Sequence, residues 1–138
     1  CIRACRDLAR DYALQRHSFG GPIGRKQAVA FAVADLDVMA HIGGLLVYAA
    51  AQLKDRQTQS GNVDPAELKR AAAIAKLYTS ESAVTATRSA TQVFGGYGFM
   101  EEYPIARFYR DAKVLEVGEG TSEVQRLLIA RGLGLPVE

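Results

Sequence analysis

Residues 23–59 constrain this chain more than any other stretch. Apolar side chains recur there at three- and four-residue steps. One stripe runs through Val29, Ala32, Leu36, Met39, Gly43, Leu46, Ala50 and Leu53; beside it runs a second through Ala28, Phe31, Val38, Ile42, Leu45 and Ala49.

 That spacing is the period of an α-helix, not of a strand. Two adjacent apolar stripes predict a wide buried face, as for the central helix of a bundle.

The flanking segments read the same way. Ile2, Cys5, Ala9 and Tyr12 mark one helical face over residues 2–15, with Arg3, Arg6, Asp7 and Arg10 largely elsewhere. The run from His17 to Pro22 breaks that pattern, because Gly and Pro end helices and Pro opens the next one. Asp64 and Pro65 have the chemistry of an N-cap and a first helical residue, and a third helix is expected over residues 65–93. Its second half is rich in Ser and Ala, which lets neighbouring helices approach closely. Gly95, Gly96 and Gly98 stop it. A short helix follows from Pro104 to about Ala112, and a last one runs to Arg131, capped by Thr121 or Ser122, with Ser122 and Gln125 at capping-box spacing. No segment alternates with period two between hairpin turns, so the expected fold is an all-α, up-and-down helical bundle forming a single domain over residues 1–138.

Composition narrows the function classes. The 138 residues are 49% apolar and 23% charged, which excludes a disordered tail. The 17 Lys and Arg against 15 Asp and Glu are scattered, not gathered into a stripe, so no nucleic-acid partner is expected. Asp35, Asp37 and His41 interrupt the longest apolar region, and no membrane span is expected. Two Cys, four apart, read as packing residues in a reducing compartment, and no metal site is expected. His41 is expected to be a partly buried helix residue. The chain starts at Cys1, inside what already reads as a helix, which suggests the C-terminal part of a longer chain.

Two local patterns invite chemistry. The glycines from Gly95 to Gly98 could expose backbone N–H groups to a phosphate or a flavin edge, yet they form neither a Walker loop nor a Rossmann fingerprint. Glu119 stands between Gly118 and Gly120 just before a helix. It reads either as a solvated acid at a helix N-terminus or as a general base with room for a substrate to approach.

Three blocks in order resemble the C-terminal helical domain of acyl-CoA dehydrogenases: residues 12–23 followed by Gln27; residues 92–99; and residues 110–113 followed by 119–126 and 129–131. The resemblance implies a three-domain flavoenzyme whose other two domains lie upstream. It implies FAD as cofactor, bound between domains and subunits, and a homo-oligomer, tetramer or dimer. It also implies that Glu119 removes an α-proton from an acyl-CoA thioester while the β-carbon gives a hydride to the flavin, leaving a trans-2-enoyl-CoA. An electron-transfer flavoprotein would take the electrons. The expected location is cytoplasmic, or the mitochondrial matrix in a eukaryote.

The same resemblance assigns cofactor contacts. Arg16 matches an arginine reaching the FAD pyrophosphate of a neighbouring subunit, a task suited to a guanidinium. Ser18 and Phe19 match positions beside the same dinucleotide, and Gln27 one on its adenosine side. Gln92 and Gly96 match further FAD contacts. Thr121 and Glu123 match contacts after the base, although the family often carries Gln at the latter, and a carboxylate only accepts hydrogen bonds. Gly118 stands where well-known fatty-acyl members carry Tyr, which implies a roomier acyl pocket lined by Gly118 and Gly120. Competing expectations are a flavin oxidase or monooxygenase relative and a non-catalytic scaffold subunit.

Overall fold

The computed structural model describes residues 1–137. Six α-helices carry the fold: α1 (Ile2–Gln15), α2 (Gln27–Ser60), α3 (Pro65–Phe94), α4 (Pro104–Asp111), α5 (Val114–Val117) and α6 (Ser122–Gly132). No strand occurs among the described residues; an isolated bridge joins His17 and Pro22. The all-α expectation therefore holds.

Helix α3 lies at the centre, packed against α1, α2 and α6, and α4 and α5 also pack on it. Its sequence explains this. Ala73, Ala75, Ser80, Ala83, Ala86, Thr87 and Ala90 are all buried, and small side chains admit neighbours on several sides. Asp64 caps it by accepting from the Ala66 N–H at 2.9 Å, and Pro65 opens its first turn. Helix α2 approaches so closely at Gly43 that an added Cβ would sit 3.3 Å from the Thr79 methyl. From α1, Ile2, Cys5, Ala9 and Ala13 enter the same core, joined by Leu36, Phe94 and Ile105.

Helix α2 departs from expectation. It is not central, and its buried face is narrow: Leu36, Ala40 and Gly43 are buried. The first stripe faces α1 and α3, whereas Ala28, Phe31, Val38, Ile42, Leu45 and Ala49 of the second are all exposed. Phe31 and Leu45 are each 59% exposed. Periodicity shows that a face is apolar; it does not show that the same chain covers it. His41 is likewise exposed, not partly buried. Helix α2 also bears on the membrane expectation. Helix α2 contains an 18-residue window with mean hydropathy 1.6, long and apolar enough by composition to cross a membrane, because Asp35 and Asp37 are too few to lower the average.

Local ends differ in instructive ways. Helix α2 starts at Gln27, later than the periodicity suggests, because Ile23–Arg25 form a 3₁₀ turn and Lys26 is extended. The glycine segment Gly95–Phe99 is also a 3₁₀ turn, entered through Gly95 at φ +60°. Cys5 is buried in the core, and burial pushes its thiol pKa up to about 11; Cys1 is exposed.

Candidate functional site

Two cavities bring the singled-out residues together, and they share no lining residue. The first has a volume of about 680 Å³ and lies between α2, α3 and the segment leading into α6. Gly118 and Glu119 are on its wall, facing Val47, Tyr48, Lys76, Thr79 and Leu115. The second has a volume of about 670 Å³ and is lined by Tyr12, Arg16, Ser18, Phe94, Gly96 and Tyr97, among others.

The Glu119 turn is built from backbone first. Gly118 is extended and ends α5, its N–H donating to the Val114 carbonyl at 2.8 Å. Glu119 then adopts φ +56° and Gly120 φ +90°. A left-handed conformation is unfavourable for a residue with a Cβ, and such strain persists only where surrounding contacts hold it. Two side chains hold this one. The Lys76 Nζ donates to the Gly120 carbonyl at 2.6 Å. The Gln125 Nε2 donates to the carbonyls of Glu119 and Gly120 at 3.2 and 3.1 Å. Among the described residues, the Glu119 carboxylate makes no hydrogen bond or ion pair. It is exposed, and the described residues leave that side of the cavity open.

The capping reading changes accordingly. Thr121 is the N-cap of α6 and accepts from the Val124 N–H at 3.4 Å. Ser122 is buried with an unpartnered hydroxyl, and Gln125 reaches back to the turn carbonyls instead of completing a capping box. Glu123, in the first turn of α6, is held below the usual carboxylate range, chiefly by its own backbone N–H and then by the Thr121 hydroxyl. That is favourable at a helix N-terminus.

The second cavity has a different construction. The loop after α1 is closed by the Ile23 N–H donating to the Arg16 carbonyl at 2.8 Å and the Ser18 N–H donating to the Gly21 carbonyl at 2.9 Å. Tyr12 stacks on Phe94 with centroids 4.1 Å apart, and Tyr103 meets both rings edge-on. The Arg16 guanidinium lies 5.2 Å from the Tyr97 ring centre, within cation–π range. An added Cβ on Gly96 would meet nothing within 4 Å, so the backbone there is open to close approach. Phe19 stands at the loop tip, 91% exposed at φ +52°.

Arg16, Ser18 and Gly96 thus converge, as do Gly118 and Glu119. Phe19, Gln27, Gln92, Gly120, Thr121 and Glu123 line neither cavity. Sequence reasoning missed Lys76 and the role of Gln125. Their partners are carbonyl oxygens, which carry no side-chain signature.

Residues 1–134 match the family described as acyl-CoA dehydrogenase, C-terminal domain. The chain belongs to the acyl-CoA dehydrogenase family. It is 42% identical over 130 residues to an acyl-CoA dehydrogenase of Bacillus subtilis (strain 168), covering 94% of this chain and 32% of that protein. Its fold superposes on butyryl-CoA dehydrogenase from Megasphaera elsdenii with a TM-score of 0.86 at 39% identity, over 96% of this chain and 32% of the other. The FAD complex of PigA gives a TM-score of 0.89 at 28% identity, over 99% and 33% of the two chains. This acyl-CoA dehydrogenase domain therefore spans about a third of the length of these relatives.

The residues of the second cavity suit the dinucleotide that the family implies. A guanidinium and a hydroxyl match an anionic pyrophosphate, aromatic faces match a flat ring, and Gly96 leaves room.

Proposed function

We propose that this chain is the C-terminal domain of a longer FAD-dependent acyl-CoA dehydrogenase, with Glu119 as the base that takes the substrate's α-proton. The observation that carries the reading is the Glu119 turn. An unpaired carboxylate, held in a left-handed backbone conformation between two glycines, lies on the wall of a largely apolar cavity. Strained residues of this kind mark sites where geometry serves function.

Glu119 accepts the α-proton, and the upstream domains would cover it from water. Bound FAD would supply the acceptor for the hydride that leaves the β-carbon. Gly118 places no side chain beside the acyl group, so Val47, Tyr48 and Leu115 bound the space; branched, cyclic or bulky acyl groups then fit better than they would beside a Tyr. Arg16, Ser18 and Gly96 hold the dinucleotide of a neighbouring subunit. The separation of the two cavities supports this division, because each serves a different part of an assembled site. Phe19, Gln27, Gln92, Thr121 and Glu123 complete the contacts on that reading. The uncovered stripe of α2 supports assembly into a homo-oligomer, and an electron-transfer flavoprotein is the proposed acceptor.

The test uses the longer chain that carries this domain, purified with FAD. A panel of straight, branched and cyclic acyl-CoAs is added without oxygen, and the flavin absorbance is followed. At least one acyl-CoA should bleach the wild type, while Glu119→Gln keeps FAD and slows bleaching by about 10²–10⁴-fold. A flavin that no acyl-CoA bleaches would favour a scaffold subunit or an oxidase relative.

A further inference from the structure

We propose that Lys76 and Gln125 are positioning residues that clamp the Glu119 turn from two sides and thereby set the rate of proton removal. The inference rests on the reading of Glu119 as the base. Three observations meet at this turn. First, Glu119 and Gly120 are both left-handed, a conformation that a residue with a Cβ does not adopt without support. Second, both of their carbonyls are taken by side chains from other elements: Lys76 from the middle of α3, 44 residues away in sequence, and Gln125 from the first turns of α6. Third, there is no slack. A Cβ on Gly120 would lie 2.8 Å from the Gln125 Nε2, closer than such contacts allow.

The choice of partner by Lys76 matters most. Lys76 lines the same cavity as Glu119, yet the two side chains form no salt bridge. It donates instead to the neighbouring carbonyl, at 2.6 Å. The turn is fixed by a charge-assisted bond, and the carboxylate stays free to accept a proton. Gln125 is buried, so its amide has a strong need for acceptors, and the two turn carbonyls satisfy it. Clamped from α3 and α6, the turn fixes the direction in which the Glu119 side chain leaves the backbone, relative to the cavity. A displacement of about 1 Å at such a group can cost about 10²-fold in rate.

The experiment uses the FAD-loaded full-length enzyme and an acyl-CoA that reduces it. Lys76→Met keeps the stem and removes the donor; Gln125→Met does the same from α6. Each should slow anaerobic flavin reduction at saturating substrate by about 10–100-fold. The acyl-CoA dissociation constant, FAD content and melting temperature should stay near those of the wild type. Lys76→Arg, which can still donate to the carbonyl, should recover most of the rate. Reduction at the wild-type rate in both Met variants, with Glu119→Gln inactive, would overturn the clamp and leave the base reading standing. Wild-type reduction by Glu119→Gln would overturn the base reading and the clamp with it. Loss of FAD and of melting temperature in both Met variants, unrepaired by Lys76→Arg, would mean a scaffolding role and would also overturn the proposal.

Discussion

The two cavities are nearly equal in volume yet are held by opposite means. Around Arg16 the support is packing: Tyr12, Phe94, Tyr97 and Tyr103 form a connected set of rings, and the loop above is closed by its own backbone bonds. Around Glu119 the support is polar and long-range, with Lys76 and Gln125 reaching in to hold carbonyls. Each carries one non-glycine residue in the left-handed region at or beside it, Phe19 and Glu119 respectively. The contrast suits two tasks. A surface that binds a large cofactor can rely on broad, tolerant packing, whereas a proton acceptor needs one group in one place.

Breaking the assembly should have the largest effect. Phe31→Asp with Leu45→Asp puts charges on the uncovered stripe of α2. In the longer enzyme, light scattering should show smaller species, and FAD should be lost with them if the Arg16 cavity serves a neighbour's cofactor. Unchanged mass and flavin content would break that link. Next in size is Phe94→Ala, which removes the ring stacked on Tyr12 and opens a void in the core. Denaturant unfolding should show a loss of about 3–5 kcal/mol, with flavin affinity falling in parallel.

Glu119→Gly sharpens the contrast in the other direction. Relief of the left-handed conformation should stabilise the protein by about 1–2 kcal/mol while the substrate no longer bleaches the flavin. A destabilised variant would mean that the turn is relaxed as it stands. The smallest effect belongs to Cys5, which lines neither cavity. Burial raises its thiol pKa, so the folded chain keeps the proton longer than the unfolded one. Its contribution is present at neutral pH and fades as pH rises from about 9 toward about 11. Cys5→Ala should flatten the denaturant midpoint across that window without changing flavin reduction.

Much of the fold was legible because its signals are local. Ile2, Cys5 and Ala9 announced the buried face of α1, and Asp64 with Pro65 announced the start of α3. The failures were tertiary. Nothing in the period of α2 says which of two adjacent stripes the chain covers, or that the small residues of α3 would take the centre. At the candidate site, Glu119 stood out through its flanking glycines, and Arg16 through the family resemblance. Lys76 did not, since its partner is a backbone oxygen far along the chain. Gln125 was noticed for a capping box and serves the preceding turn instead.

The most direct test of the division between the cavities compares Arg16→Leu with Glu119→Gln in the longer enzyme, measuring flavin per subunit and the anaerobic reduction rate of the flavin that remains. Arg16→Leu should weaken FAD binding by about 10–100-fold, the loss of a charge-assisted contact, and leave the reduction rate of bound flavin within a few-fold of the wild type. Glu119→Gln should do the reverse: full flavin and almost no reduction. Two variants that lose flavin and rate together, in the same proportion, would contradict it.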